Sequence, residues 1–173
     1  MNIFFLDWFP WICAIYHCDK HCVKMILEST QLLYSSHWFS QNNNTWIQDL
    51  HKNNLIPYKK THINHPCSIW TRISKENYFW LANLAIFLCK EYTKRYSKTH
   101  KCEKHILWLL KNPPNLSSIG LTDPPLIMPE KYKINNNTIQ SYRNYYIHEK
   151  KYFAKWKLNN EPLWFTPLKI TSS

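Results

Sequence analysis

The chain has 173 residues, 45% of them hydrophobic, with nine Trp, 11 Tyr and eight Phe, which suits one domain with a sizeable core. A single glycine, Gly120, and no glycine-rich phosphate motif exclude the usual nucleotide-cofactor folds, so no cofactor is expected. Twenty-two Lys+Arg against 11 Asp+Glu give a net charge of +11, a field that draws polyanions, although the abundance of Asn, Ile, Lys and Tyr is also what AT-rich coding produces. No apolar run approaches the roughly 18 residues of a spanning helix, so no membrane contact is expected. The first residues lack a basic stretch and a small-residue cleavage site, so no signal peptide is read. Six scattered Cys do not resemble a secreted disulfide framework and suit a reducing, intracellular compartment.

In chain order, residues 1–6 are β-branched and aromatic, a short strand or a packed N-terminal arm, and Pro10 interrupts the run Trp8–Trp11. A first helix is predicted over 19–38, with Asp19 as N-cap. Residues 40–54 read as a polar loop around Asn42-Asn43-Asn44, with a short helical turn at 45–50. A basic connector, Lys59-Lys60-Thr61-His62-Ile63-Asn64-His65-Pro66-Cys67, leads to a long second helix that starts near Pro66 or Ser74 and ends near Tyr96. A third helix covers 101–110 and stops at Pro113-Pro114. Residues 112–131 hold five Pro and the only Gly, an irregular crossing. The last helix spans 138–157. The expected fold is mainly α: one compact helical domain of about four helices over 1–157, with a short extended N-terminal arm, long irregular loops, and a tail over 158–173 partly packed through Trp164 and Phe165.

The helix from Asp19 carries the most informative pattern. His21, Lys24, Glu28, Gln31 and Ser35 recur at spacings of three and four, one polar line on a helix otherwise apolar. Such a helix is buried, and a buried carboxylate needs a partner or a cleft. The line is therefore either a structural network such as a Lys24–Glu28 pair or the seat of chemistry. Other candidates are weaker. His17, His21, Cys18, Cys22, His62, His65 and Cys67 contain metal-ligand types but no C-x-x-C, so no metal is expected. Cys67 near His65, or Cys22 beside His21, has the composition of a Cys–His nucleophile, with nothing to single either out. Three basic runs suggest a nucleic-acid surface: Lys59, Lys60, His65 and Arg72; then 94–104 with Arg95; then the last helix, where Arg143, Tyr146 and Lys150 mix cations with stacking groups.

Two resemblances extend this reading. The stretches 18–28, Asn64-His65-Pro66-Cys67, 91–96 and Lys155-Trp156-Lys157 resemble an uncharacterised family of large DNA viruses and phages. More distantly, the chain is similar to the phage pyrimidine-dimer DNA glycosylases of endonuclease V type. In that family the first helix carries an Asp, a His two residues on and a catalytic Glu seven residues later, the spacing of Asp19, His21 and Glu28. His65 followed by an aromatic-rich helix, and Tyr142-Arg143-Asn144-Tyr145-Tyr146, are also similar.

What the glycosylase resemblance implies is a hydrolase and lyase of DNA repair acting on double-stranded DNA, without cofactor. The N-terminal α-amine attacks C1′ of the damaged nucleotide and forms a Schiff base; the Glu stabilises the cationic intermediate and assists β-elimination. An α-amine suits this task because its ordinary pKa of roughly 7.7–8.0 lies well below that of lysine. Carried over, Glu28 is the acid/base, His21 its neighbour and the Met1 amine the nucleophile, with Lys24 contacting DNA. Trp8, Trp11 and Tyr146 are candidates for the residues that distort the duplex. Two positions depart from the family: Asn2 stands where a Thr is exposed after loss of Met, and Leu27 where an Arg precedes the Glu. The viral resemblance places the protein in the host cytoplasm or viral factory, with packaging in the virion as an alternative. Two rival functions remain open: a non-enzymatic viral nucleic-acid-binding or virion protein, and a nucleotide or modified-base enzyme using Glu28 with His21, His62 or His65.

Overall fold

In the computed structural model, which describes residues 1–40, 45–158 and 161–166, the chain is all-helical. Seven α-helices and one short 3-10 turn are present among these residues, and no strand. The helical class agrees with expectation, but the count of about four helices is corrected, for two physical reasons. Short helices form where tertiary packing supports them, and one long apolar run is broken by a capping serine. No helix among the described residues is long and apolar enough to cross a membrane.

Helix α1, Pro10–Tyr16, starts on the proline that the sequence suggested as a mere interruption. Proline at a helix's first turn loses no hydrogen bond and presets φ. Helix α2, Asp19–Ser40, has Asp19 as its first residue, where its charge meets the positive end of the helix dipole; the carbonyl of Cys18 accepts the first intrahelical bond, from Cys22 N–H at 2.7 Å. Helix α3, Thr45–Lys52, extends the expected short turn and buries Trp46 and Leu50. The Asn42-Asn43-Asn44 loop lies outside the described residues.

The anticipated second helix is two. Helix α4 runs Pro66–Ile73, with Pro66 in its first turn and the His65 side chain accepting from Cys67 N–H. Ser74 then turns extended, φ −138° and ψ 157°, and caps α5, Lys75–Tyr96, by accepting from Asn77 N–H at 3.0 Å. The sequence offered these as alternative starts of one helix; each begins a helix of its own, because each is preceded by a cap. Helix α6, Glu103–Lys111, and α7, Thr138–Lys150, complete the set. Helix α7 stops well short of residue 157, and residues 154–156 are irregular. Trp164 packs edge-on to Tyr16, and Phe165 to Trp156; the remaining tail, 167–173, lies outside the described residues.

Helix α5 is the centre, packed against α1, α2, α4 and α6, and α2 also meets α4 and α6. The N-terminal arm threads into this core: Ile3, Phe4, Phe5 and Leu6 are all buried. Phe5 stacks on Trp80 at 4.4 Å and meets Trp70 edge-on at 5.1 Å. Each fully buried aromatic of this kind contributes on the order of 2–3 kcal/mol. Residues 112–129 cross irregularly but are tied down: Asn77 bonds Thr122 through both its amide oxygen and its amide nitrogen, and Trp70 Nε1 donates to the Thr122 carbonyl. The arm meets α2 at Glu28, α7 meets it at His21, and the crossing segment holds Asn2 through the Ile127 carbonyl.

Candidate active site at the N-terminus

The arm cannot bury Phe4 and Phe5 without also fixing the two residues before them. Asn2 is the pivot. Its backbone N–H donates to Glu28 Oε2 at 3.0 Å. Its side-chain amide donates to the Ile127 carbonyl at 3.0 Å, and its Oδ1 accepts from Ile3 N–H at 2.8 Å. Tyr142 Oη lies 3.2 Å from the same Oδ1 and donates to the Pro125 carbonyl at 2.6 Å. The start of the chain is thus locked between α2, the crossing segment and α7.

Glu28 sits at the edge of the core, its side chain 13% exposed. One carboxylate oxygen accepts from Asn2 N–H; the other faces Lys24 Nζ at 3.3 Å. Lys24 is solvent-exposed, so this i,i+4 pair adds only a few tenths of a kcal/mol. His65 and Cys67, at the start of α4, complete the surroundings. Burial first, then the charge of the α-ammonium group, holds His65 below its ordinary value, while Glu28 pulls it back up. The Cys67 thiol is pushed up to about 12, chiefly by burial, and lies 3.8 Å from Asn2 Oδ1. Burial of this kind favours the protonated thiol and disfavours Cys67 as a nucleophile; burial likewise raises Cys22 to about 12.

The α-amine, Glu28, Lys24, His65 and Cys67 are therefore neighbours. Met1, Glu28, Lys24 and His65 were legible as candidates. Asn2 and Tyr142 entered the sequence reading only through the family resemblance, and nothing in the sequence pointed to their part in fixing the arm.

The other candidates divide by burial. His21 is part of the packing beneath the arm: it stacks on Phe4 at 4.5 Å, meets Phe153 edge-on, and its Nδ1 pairs with Tyr146 Oη at 2.9 Å. Burial, reinforced by His17 and three lysines, holds it near 3, so it is neutral at physiological pH. Tyr146 is fully buried and its hydroxyl accepts from Cys18 N–H at 3.0 Å; it presents no face to a base. Arg95 is buried among Glu91, Asp19 and the carbonyls of His17 and Ile15, a network that pins α5 to the junction of α1 and α2. Arg143 donates to the Leu6 carbonyl and Asp7. Arg72 donates to the Ile63 carbonyl at 2.6 Å and lies 4.0 Å over the Phe39 ring. Lys150 rests on the Tyr145 ring and bonds its hydroxyl at 3.2 Å. Lys59 and Lys60 are exposed.

Among the described residues no three metal-ligand side chains gather. His17 is fully buried against the Cys13 carbonyl, whereas His62 is exposed in the connector. No family model, curated protein or solved structure matches this chain.

Proposed function

We propose that the protein is a DNA glycosylase with an abasic-site lyase step, acting on damaged pyrimidines in double-stranded DNA through its N-terminal amine. The observation that carries this reading is the 3.0 Å contact between the Asn2 backbone nitrogen and Glu28, which holds the chain's first atoms beside a carboxylate and an exposed lysine. The nitrogen in contact belongs to Asn2; the Met1 amine is one residue further out. Removal of Met1 turns the contacting amide into a primary amine in the same place.

The chemistry follows from these groups. The amine lone pair attacks C1′, the N-glycosidic bond breaks, and the base leaves with the bonding electrons and takes up a proton. The bonded amine then loses a proton and the C1′–O4′ bond opens, O4′ keeping the electron pair and taking up a proton, to give an iminium that the Glu28 carboxylate stabilises. The same carboxylate removes a proton from C2′, and β-elimination expels the 3′-phosphate. Lys24, Lys59 and Lys60 supply exposed positive charge for the DNA backbone. Neutral His65 supplies a hydrogen-bonding nitrogen beside the amine rather than a competing charge.

Borohydride trapping on ultraviolet-irradiated and abasic duplex DNA tests the reading, with mass analysis of the adducted peptide. An adduct on the first residue, lost when the amine is acetylated, is the expected result. Salt-sensitive binding without any adduct would overturn the enzymatic reading in favour of a DNA-binding protein.

A further inference from the structure

We propose that a second site, on the α2–α5 face beside Lys24, binds a nucleotide unit: an aromatic base with its phosphate. The cavity there encloses about 510 Å³, within the range of small-molecule sites. Its floor is apolar. Val23 and Leu27 project from α2, each more than a third exposed. Tyr58 and Tyr92 form the walls.

The walls are set before any ligand arrives. Tyr58 Oη contacts Cys102 Sγ at 3.4 Å, and its ring packs against Tyr34 and His105. Tyr92 is held by Tyr96 and, edge-on, by His100, each at 5.0 Å. Fixed aromatic rings around an open slot suit a flat heterocycle, and base–aromatic contacts are worth about 1–3 kcal/mol each. An acyl chain would gain nothing from them over aliphatic walls.

The rim gives the charge of the occupant. Lys24, Lys98 and Lys101 line the cavity and no acid does. Lys98 and Lys101 are exposed, so both are available to an anion. His100 adds a polar group at the wall: its Nδ1 accepts from Cys102 N–H at 3.2 Å, which puts the proton of the neutral ring on Nε2. Burial holds that ring below its ordinary value, so it offers a hydrogen bond rather than a charge. An aromatic body with an anionic end satisfies floor, walls and rim together. The site does not depend on the amine chemistry; Lys24 is the one residue common to both.

The test is calorimetric titration of the full chain with deoxyadenosine 5′-monophosphate, deoxyadenosine and inorganic phosphate. The nucleotide should bind at least tenfold more tightly than either part. The double variant Lys98→Glu/Lys101→Glu should weaken it tenfold or more, and Leu27→Trp, which fills the cavity from its floor without changing charge, should abolish it. Leu27→Trp should leave borohydride trapping on an abasic duplex unchanged, so this site and the amine reaction fail or stand separately. A duplex with one bulged nucleotide that competes the monophosphate away assigns the site to a nucleotide within DNA; a duplex that does not compete assigns it to a free nucleotide. No monophosphate binding, equal binding of phosphate alone, or equal binding of dodecyl phosphate would overturn the proposal.

Discussion

Asn2 and Glu28 are joined across 26 positions by a single 3.0 Å hydrogen bond. It is the only point at which the chain's first peptide group meets an acidic side chain among the described residues. Both carboxylate oxygens of Glu28 are occupied, one by this N–H and one by Lys24.

Glu28→Gln separates chemistry from architecture. The amide oxygen still accepts from Asn2 N–H, so the unfolding midpoint should move little. Trapping and strand cleavage should fall by about 10²-fold or more, the usual contribution of a positioned acid/base. Single-turnover cleavage of an abasic duplex measures this; an unchanged rate would remove Glu28 from the mechanism.

Asn2→Ala should act on both stability and reaction. It removes the bond to the Ile127 carbonyl and the acceptor for Ile3 N–H, a loss of roughly 1–2 kcal/mol. Urea denaturation would report that figure. The accompanying loss of trapping should exceed it, since a freed arm no longer holds the first residues beside Glu28. Equal losses would mean that the arm has only a packing role.

Arg95→Ala and the pair Lys59→Ala/Lys60→Ala should behave oppositely. Arg95 is buried between Glu91 and Asp19, and its loss strands two carboxylates, a cost of about 3–5 kcal/mol. The exposed lysines should leave the melting temperature unchanged and lower the salt dependence of DNA affinity by about one phosphate contact each. Thermal melts beside binding isotherms at several salt concentrations distinguish the two cases.

Acid should unfold the protein early. Burial holds His17 near 4 and His21 and His37 near 3, against an ordinary value of 6.5. The unfolded chain therefore takes up protons first as pH falls. Stability is full above about pH 6.5 and declines through the window down to 3–4. Each histidine contributes a slope of up to about 1.4 kcal/mol per pH unit, so the fall from pH 7 to 5 should reach a few kcal/mol. Denaturant midpoints across that range test it, and His21→Phe should flatten the slope by about one proton.

The polar line on α2 illustrates how far sequence alone reaches. Its spacing put His21, Lys24, Glu28 and Ser35 on one face, but the structure sends them to different neighbours. His21 goes under Phe4 to Tyr146, Glu28 to Asn2, and Ser35 to the Thr61 carbonyl. Helical spacing specifies a face, not what covers it. The basic candidates show the same limit. Arg72, Arg95 and Arg143 look like phosphate ligands in a row of letters, yet each is turned inward to backbone carbonyls. Guanidinium groups serve both purposes, and only the location of unpaired carbonyls decides between them.

The sequence by itself determined the helical class and the position of α2, and it offered Pro66 and Ser74 as alternative starts of one helix. These depend on local rules of periodicity, capping and proline placement, which act within a few residues. Only the tertiary structure decided that α1 forms a helix, that Ser74 splits one helix into two, and that the chain's first residues lie on Glu28. Those outcomes come from contacts across 26 to 140 positions, where burial of Phe4 and Phe5 competes with every alternative path of the arm. No local pattern encodes the winner of that competition.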